Sequence, residues 1–335
     1  MEFRQTLLAV LVFCLGLFGC RDTASGQDMF AKAASGFPGI EIPNLIAGQL
    51  VTVWSWGKDV PTSNRTIVIT TNAGSRQIDL EGVAHARWLS TGNLLVQQRF
   101  RDASGAIENR LIQVDQSGAV IEELSAENKL SAPEPSPDGR WLAVLRYNEK
   151  GFAGLAIKDL HIKSKTVNEY DKNLIRYNLS NPVWDLDSSR LAVALWSPDK
   201  KGRLWPLLAV LTRDRNSIEY PVGDSIEDQS EPSGITPLFW SNNGIYAKSD
   251  RGLLKCALHH GGCELIYDPG KHRSILDGTL GVNGHAFLLV RDLQLDPLEA
   301  RAKEIHDVDL LNGSGSLLVR APDDLFISSI DWKAK

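Results

Sequence analysis

A short pattern that returns along the chain constrains the fold more than any other feature of this sequence. Its clearest copy is "APEPSPDGRWLAVLRY", residues 132 to 147, in which a Ser-Pro-Asp-Gly type I turn precedes an apolar strand. Aligned on the last residue of each turn, five such stretches are 47, 50, 55 and 40 residues apart. The aligned positions are Gly92, Gly139, Ser189, Gly244 and Gly284. A period of this length indicates an array of similar units.

Each unit supplies two further strands after the strand that follows its turn, which makes four strands per unit. This is the content of one propeller blade. Residues 49 to 81 hold three strands without a first strand, and the C-terminal "LFISSIDWKAK" holds a first strand with nothing after it. We therefore predict an all-β fold, a six-bladed β-propeller, in which the C-terminal strand pairs with the N-terminal strands and closes the ring.

The repeat resembles that of the TolB-like six-bladed β-propellers, where a Trp or Pro precedes Ser-Pro-Asp-Gly and an apolar strand. The full motif occurs in "PSPDGRWLAVL", and shorter forms are "WLSTGNLLV", "WDLDSSRLAV" and "WSNNGIYA". The resemblance covers residues 45 to 335 and implies a propeller of the cell envelope. Since the separate domain that precedes the propeller in TolB has no counterpart between Cys20 and the first strand, we do not transfer the partners of TolB. Trp88, Trp184, Trp240 and Trp332 precede the turns and are predicted to be core residues.

The N-terminus has the pattern of a secretory signal. Arg4 is followed by an apolar run from Leu7 to Phe18 that is short for a membrane span. The next residues, Gly19 and Cys20, end a stretch that resembles a bacterial lipobox, and this resemblance implies that Cys20 carries the lipid; ordinary signal cleavage is the alternative. We expect a signal peptide over 1–19, a lipidated cysteine with a flexible tether over 20–44, and a propeller over 45–335. The resemblance also implies a lipid-anchored protein on the periplasmic side of the outer membrane, if the cell has one.

Composition is that of an ordinary globular protein. Hydrophobic residues make up 43% of the 335 positions and charged residues 23%. With 36 basic and 41 acidic side chains, a net charge of -5 gives no general attraction to nucleic acid. We therefore expect no nucleic-acid partner.

Two cysteines remain beyond the N-terminal segment, in "LLKCALHHGGCELIYD". Cys256 and Cys263 flank a turn, and in an oxidising compartment a disulfide between them is the natural interpretation. A metal site that adds His259 and His260 is the alternative, although its spacing differs from the usual zinc patterns. The acidic residues Asp224, Glu227, Asp228 and Glu231 lack the spacing of a calcium loop and are interpreted as a solvated linker. We therefore assign no metal and no cofactor.

Loop length suggests a binding face. Loops between second and third strands, and between blades, leave a propeller on one face and are long here, whereas turns such as "SPDG" and "HHGG" leave the other face and are short. Binding residues concentrate on long loops of rigid scaffolds. The candidates on this face are Trp56, Arg99, Arg101, Lys200, Lys201, Arg203, Trp205, Arg291 and Arg301. A mixture of Arg and Trp suits an interface, while ordinary solvated loops with the two Trp turned inward are the alternative.

From these features we expect a monomeric protein-binding or scaffolding module that works with envelope proteins, with no catalytic residues assigned. The alternative is a propeller enzyme, or a binder of a small glycan or peptide, that uses the central channel. In the first strands, Glu134, Asp185, Asp187 and Asp331 are the acidic candidates for that alternative. No Gly-x-Ser-x-Gly motif is present, so we expect no hydrolase of the prolyl oligopeptidase type.

Overall fold

The structure is a computed structural model. It describes residues 48–56, 65–78, 80, 82–101, 103, 107–125, 130–148, 151–162, 165–171, 181–198, 204–215, 217–222, 234–258, 262–294, 302–322 and 325–334. These residues belong to the compact unit Ile40–Lys335. Within these ranges there is no helix of the length and apolarity that a membrane crossing requires.

In these ranges the chain forms 24 strands, β1 to β24 in chain order, arranged as six antiparallel sheets of four strands. Blade 1 consists of β24 (Leu325–Ala334), β1 (Gly48–Trp56), β2 (Arg65–Thr71) and β3 (Gly74–Ile78). Blade 2 consists of β4 (Val83–Trp88), β5 (Leu94–Arg101), β6 (Ile107–Val114) and β7 (Val120–Ser125). Blade 3 consists of β8 (Leu130–Pro135), β9 (Trp141–Asn148), β10 (Gly151–Asp159) and β11 (Lys165–Asp171).

The second half of the ring follows the same order. Blade 4 consists of β12 (Val183–Trp184), β13 (Arg190–Pro198), β14 (Leu204–Thr212) and β15 (Ile218–Glu219). Blade 5 consists of β16 (Thr236–Ser241), β17 (Gly244–Ser249), β18 (Gly252–Cys256) and β19 (Cys263–Tyr267). Blade 6 consists of β20 (Arg273–Leu280), β21 (His285–Asp292), β22 (Glu304–Asp309) and β23 (Gly315–Arg320). The predicted six-bladed propeller is therefore confirmed.

The ring closes within blade 1. There the C-terminal strand β24 pairs antiparallel with β1, from Gly48 opposite Ala334 to Trp56 opposite Leu325. A side chain at Gly48 would lie 2.0 Å from the Trp332 ring, so the two strands approach more closely than any larger residue allows. Closure by the C-terminal strand is thus confirmed, and no open edge remains at the junction.

The repeated turn has the geometry expected from its residues. The Gly139 N–H donates to the Ser136 carbonyl over 2.9 Å, and the Ser136 hydroxyl accepts from the Trp141 N–H over 2.8 Å. Gly139 has φ +74, a left-handed conformation that favours glycine. The four repeat tryptophans, Trp88, Trp184, Trp240 and Trp332, are all buried, which confirms their predicted place in the core. Apolar clusters formed by the packing of blade against blade hold the ring together.

The two faces of the ring differ in how much of them the structure describes. We call the face that carries the turns between first and second strands, and between third and fourth strands, the short-turn face. Lys333 Nζ donates to the Ser90 carbonyl in the β4–β5 turn over 3.4 Å, which places the end of β24 on this face as well. We call the opposite face the long-loop face; the segments predicted to form its loops, among them 57–64, 199–203 and 295–301, lie outside the described residues.

Candidate functional site

The innermost strands of the blades point alternate side chains into the central channel, as strand geometry requires. One position before the repeat Trp or Pro, these strands place Arg87, Glu134 and Asp331 in the channel. Two positions earlier, β20 contributes Asp277 and β24 contributes Ser329. We call Arg87, Glu134, Asp277 and Asp331 the channel cluster. It draws its members from four different blades.

Arg87 is the centre of this cluster and is only 7% exposed. Its Nε donates to Glu134 Oε2 over 3.0 Å, and its Nη2 lies 3.4 Å from Asp277 Oδ2. Its Nη1 donates to the Ser329 hydroxyl and to the Ile330 carbonyl, each over 2.9 Å. One guanidinium from blade 2 thus ties together blades 1, 3 and 6, which only the planar, multiple-donor geometry of arginine permits.

Asp331 makes a second set of contacts between blades. Its Oδ2 accepts the Trp88 N–H of blade 2 over 2.7 Å. Its Oδ1 accepts the Trp332 N–H over 2.8 Å and the Thr279 hydroxyl of blade 6 over 3.2 Å. The C-terminal strand is therefore fixed to both neighbouring blades by side-chain hydrogen bonds as well as by its backbone.

Burial and mutual charge change the acidity of these groups. Burial, together with the nearby Asp331 and Asp277, raises the pKa of Glu134 to about 7 against the opposing effect of Arg87. Burial also raises the pKa of Asp331, although Arg87 and three hydrogen bonds oppose it. Burial alone would lower the pKa of Arg87, but the three carboxylates raise it above its ordinary value. Glu134 therefore titrates near neutral pH while Arg87 remains charged.

The cluster lines a cavity of about 190 Å³. Its walls also include Pro137 and Leu186, which belong to the turns of blades 3 and 4, so the cavity extends to the short-turn face. Glu134 keeps 25% of its side chain exposed and Asp277 17%. Among the described residues, Glu134 bonds to Arg87 through Oε2 only.

The chemistry open to this cavity follows from its charges. Three carboxylates face one guanidinium, and a further cation, Lys248, interacts with Asp277 and donates its Nζ to the carbonyl of the preceding residue, Leu276. Burial lowers the pKa of Lys248, while Asp277 opposes this effect. The cavity therefore favours a positively charged group. In the described part of the chain, no three His, Cys, Asp or Glu side chains are grouped as metal ligands.

Sequence reasoning identified half of this cluster. Glu134 and Asp331 lie in the channel, whereas Asp185 caps its own turn through Ser189 and Arg190, and Asp187 is exposed. Arg87 and Asp277 were missed, because they lie in different strands far apart in the chain and their proximity depends on the ring. Alignment of the first strands on the repeat Trp was the available signal, since it places Arg87, Glu134 and Asp331 in one column.

The predicted binding-face residues are only partly described. Arg99 is half-buried in β5 with its Nε 3.2 Å from Asn109 Oδ1, and Arg291 is half-buried in β21 with its Nε 2.8 Å from the Ser274 hydroxyl. Trp56, Arg101 and Trp205 lie in β1, β5 and β14, and the structure does not describe their side chains. Lys200, Lys201, Arg203, Arg301 and Cys20 lie outside the described residues, as do His259, His260 and the acidic linker.

The two internal cysteines lie opposite each other in β18 and β19. Their sulfur atoms are bonded in the structure, with Cα atoms 4.1 Å apart.

A separate polar cluster lies between blades 5 and 6, where Tyr267, His306 and Glu304 form a chain of hydrogen bonds of 2.5 and 2.8 Å. Since ionised Glu304 can only accept, the His306 Nε2 donates to it and the Nδ1 accepts from Tyr267.

Comparison with known proteins gives a likeness in structure. No protein-family model matches the sequence, and no curated protein matches it. TolB from Acinetobacter baumannii has a TM-score of 0.61 at 12% identity, over 91% of this chain and 70% of that chain. A putative TolB from Agrobacterium tumefaciens has a TM-score of 0.56 at 12% identity, over 86% and 100%. A chain of a nidogen/laminin complex has a TM-score of 0.57 at 10% identity, over 85% and 98%. The chain is therefore similar in fold to the TolB proteins and is a TolB-like six-bladed β-propeller.

Proposed function

We propose that this chain is a membrane-anchored, extracytoplasmic propeller that binds envelope proteins and acts as a scaffold. The observation that carries the proposal is the closed ring of six blades, similar to TolB over most of the chain. One similar structure comes from a complex of two proteins, nidogen and laminin. Because a fold by itself does not assign a function, the proposal depends on the experiment below.

The proposed location outside the cytoplasm follows from the N-terminal pattern. A secretory signal that ends at Cys20 supports lipid attachment at that cysteine, and residues 21–44 would then tether the propeller to the membrane. The pairing of Cys256 with Cys263 suits an oxidising compartment outside the cytoplasm.

The proposed binding residues are those of the long-loop face. Arg99 and Arg291 lie near the ends of second strands toward this face, and both residues are half-buried. Arg101, Lys201, Arg203 and Arg301 extend the same positive character along the loops. Arginine-rich surfaces with tryptophan are typical of protein interfaces.

Affinity purification from mild detergent tests this function. The tagged, membrane-anchored protein is compared with a variant in which Arg101, Lys201, Arg203 and Arg301 are changed to Glu. We expect an envelope protein to co-purify with the wild type and to be lost in the variant. The control changes exposed cations near the short-turn face, Arg76→Glu and Arg215→Glu, and should retain the partner. A partner that neither variant loses would contradict the assignment of the long-loop face, and no partner in any sample would contradict the scaffold.

The channel cluster favours a second candidate function, a small-ligand binder or an enzyme. Glu134, with a pKa of about 7, lies near Asp331 and Asp277 in a cavity, and a carboxyl of this kind is suited to general acid or base catalysis. A thermal-shift screen with small glycans, peptides and amines tests this candidate. Stabilisation that is lost in Glu134→Gln would support it, and a screen without a stabilising compound would count against it.

A further inference from the structure

A second cavity, of about 400 Å³, lies on the short-turn face between blades 5 and 6. Its walls come from the β16–β17 turn (Asn242 and Asn243), the β20–β21 turn (Gly281 and Gly284) and the β22–β23 turn (Leu311). All of these turns belong to the face opposite the long loops. The described structure therefore shows a concave surface where turn length predicted none.

The second cavity adjoins the channel cavity. Leu186 and Leu280 line both of them, so they share a wall. We call the combined feature the short-turn groove. At one end it contains the channel cluster, and at the other end it is bounded by the ion pair of Lys255 with Glu264, whose charged atoms are 3.3 Å apart.

Exposed leucines form part of the lining of the groove where it leaves the channel. Leu311 is 82% exposed and Leu186 is 43% exposed, although leucine is ordinarily buried. Between them lie Leu280, Leu310 and Ile266, with the amides of Asn242 and Asn243 at the rim. Exposed apolar side chains that cluster in a concavity mark an interaction site.

Charge distinguishes the two ends of the groove. The channel end contains the carboxylates of Glu134, Asp277 and Asp331 against the single guanidinium of Arg87, and the Glu134 side chain, which is 25% exposed, lines the cavity. The blade 5 and 6 end carries uncharged turns, "SNNG" and "GVNG", and its two charged side chains, Lys255 and Glu264, are paired with each other. An occupant that matches both ends is apolar over the turns and positively charged at the channel.

We propose that the short-turn groove binds an extended segment of a partner protein, with apolar side chains against Leu186 and Leu311 and one Lys or Arg side chain at the carboxylates of the channel. This inference deepens the proposed protein-binding function and rests on it. It assigns a second contact surface, on the face opposite the Arg-rich loops. A scaffold with two such faces can hold two partners at once.

Selection of random linear peptides displayed on phage against the purified full-length protein tests this surface. We expect enriched sequences that combine an apolar run with one basic residue. A synthetic peptide of the most enriched sequence should bind the Leu186→Asp, Leu311→Asp variant at least about tenfold more weakly than the wild type, a loss of about 1.4 kcal/mol. Leu317→Asp is the matched control because Leu317 is also an exposed leucine, at 49%, but lies in β23 outside the groove; binding should be unchanged.

A second comparison tests the position of the charge. Replacement of the basic residue of the peptide by Gln should weaken binding to the wild type but have a much smaller effect on binding to Glu134→Gln, as double-mutant cycles require for groups that interact. Acidic enriched peptides, equal affinity for the Leu186→Asp, Leu311→Asp variant, or no enrichment would each overturn the inference. These outcomes are distinct from failure of the proposed function: a partner lost only with the Arg-rich loops leaves the scaffold intact without the groove, whereas groove-binding peptides without a co-purified envelope protein contradict the scaffold alone.

Discussion

Replacement of Arg87 by Met is the most informative single change in this molecule. Methionine retains much of the length of the side chain but removes the charge and every donor. Glu134 and Asp277 then lose their ion pairs, and the Ser329 hydroxyl and Ile330 carbonyl lose their donor. Breaking a buried ion pair by removal of one partner typically costs about 3–5 kcal/mol.

The expected change in melting temperature follows from the size of the unit. For the compact unit Ile40–Lys335, an unfolding entropy of about 2.1 cal/mol/K per residue gives about 0.6 kcal/mol/K. A loss of about 3–5 kcal/mol therefore lowers the melting temperature by about 5–8 °C. Differential scanning calorimetry measures this shift directly.

The pH dependence of the same variant identifies the cause. Glu134 and Asp331 have raised pKa values in the folded protein, so the folded state binds more protons than the unfolded state and stability falls as pH rises through this range. Since Arg87 lowers both pKa values, its loss makes this fall steeper. The destabilisation by Arg87→Met should be larger at pH 8 than at pH 5.

Two further variants separate charge from packing. Addition of Glu134→Gln to Arg87→Met removes one uncompensated carboxylate and should restore part of the stability at pH 8. Arg76→Met is the control, since Arg76 is exposed and its one bond among the described residues is to the Gln116 side chain, and it should change stability by no more than about 0.5 kcal/mol. An Arg87→Met protein that melts within about 1 °C of the wild type, or that is equally destabilised at both pH values, would refute the reasoning.

The remaining predictions concern closure, the cysteine pair and His306. Deletion of residues 328–335 removes most of the β24–β1 ladder together with Asp331, so the cooperative melting transition should be lost, whereas deletion of Lys335 alone should leave it unchanged. Intact-mass analysis without reductant should give a protein mass lower by two hydrogens than that of the reduced protein, because Cys256 and Cys263 are bonded. Joint replacement of the two cysteines by Ala should lower the free energy of unfolding by about 2–3 kcal/mol, since the loop they close is short. Burial lowers the pKa of His306 despite its bond to Glu304, so folding opposes protonation of this imidazole; as pH falls below about 6.5, the melting temperature of the wild type should fall relative to that of His306→Gln.

Much of the architecture was predictable because a propeller repeats the same short sequence pattern in successive blades. Each blade has a turn with an apolar strand after it, four of the six have a Trp before the turn, and these features are adjacent in sequence. The incomplete blade at the N-terminus and the lone strand at the C-terminus could be joined by the same logic. Loop length, in contrast, predicted a binding face whose residues lie mostly outside the described ranges, and it gave no sign of the groove between Leu186 and Leu311.

The channel cluster was predictable only in part because its contacts join residues far apart in the chain. Arg87 and Asp277 are 190 positions apart, and neither carries a motif of its own. The innermost strands are nonetheless the one place where all blades meet, so a polar residue there can bond to several blades at once. A channel filled with apolar side chains would pack each blade against its neighbours equally well in other registers, whereas Arg87 accepts only the arrangement that brings Glu134, Asp277 and Ser329 to it. The same carboxylates that specify closure leave a partly exposed negative charge at the base of the short-turn groove, and the Glu134→Gln comparisons in solution and in peptide binding separate these two roles.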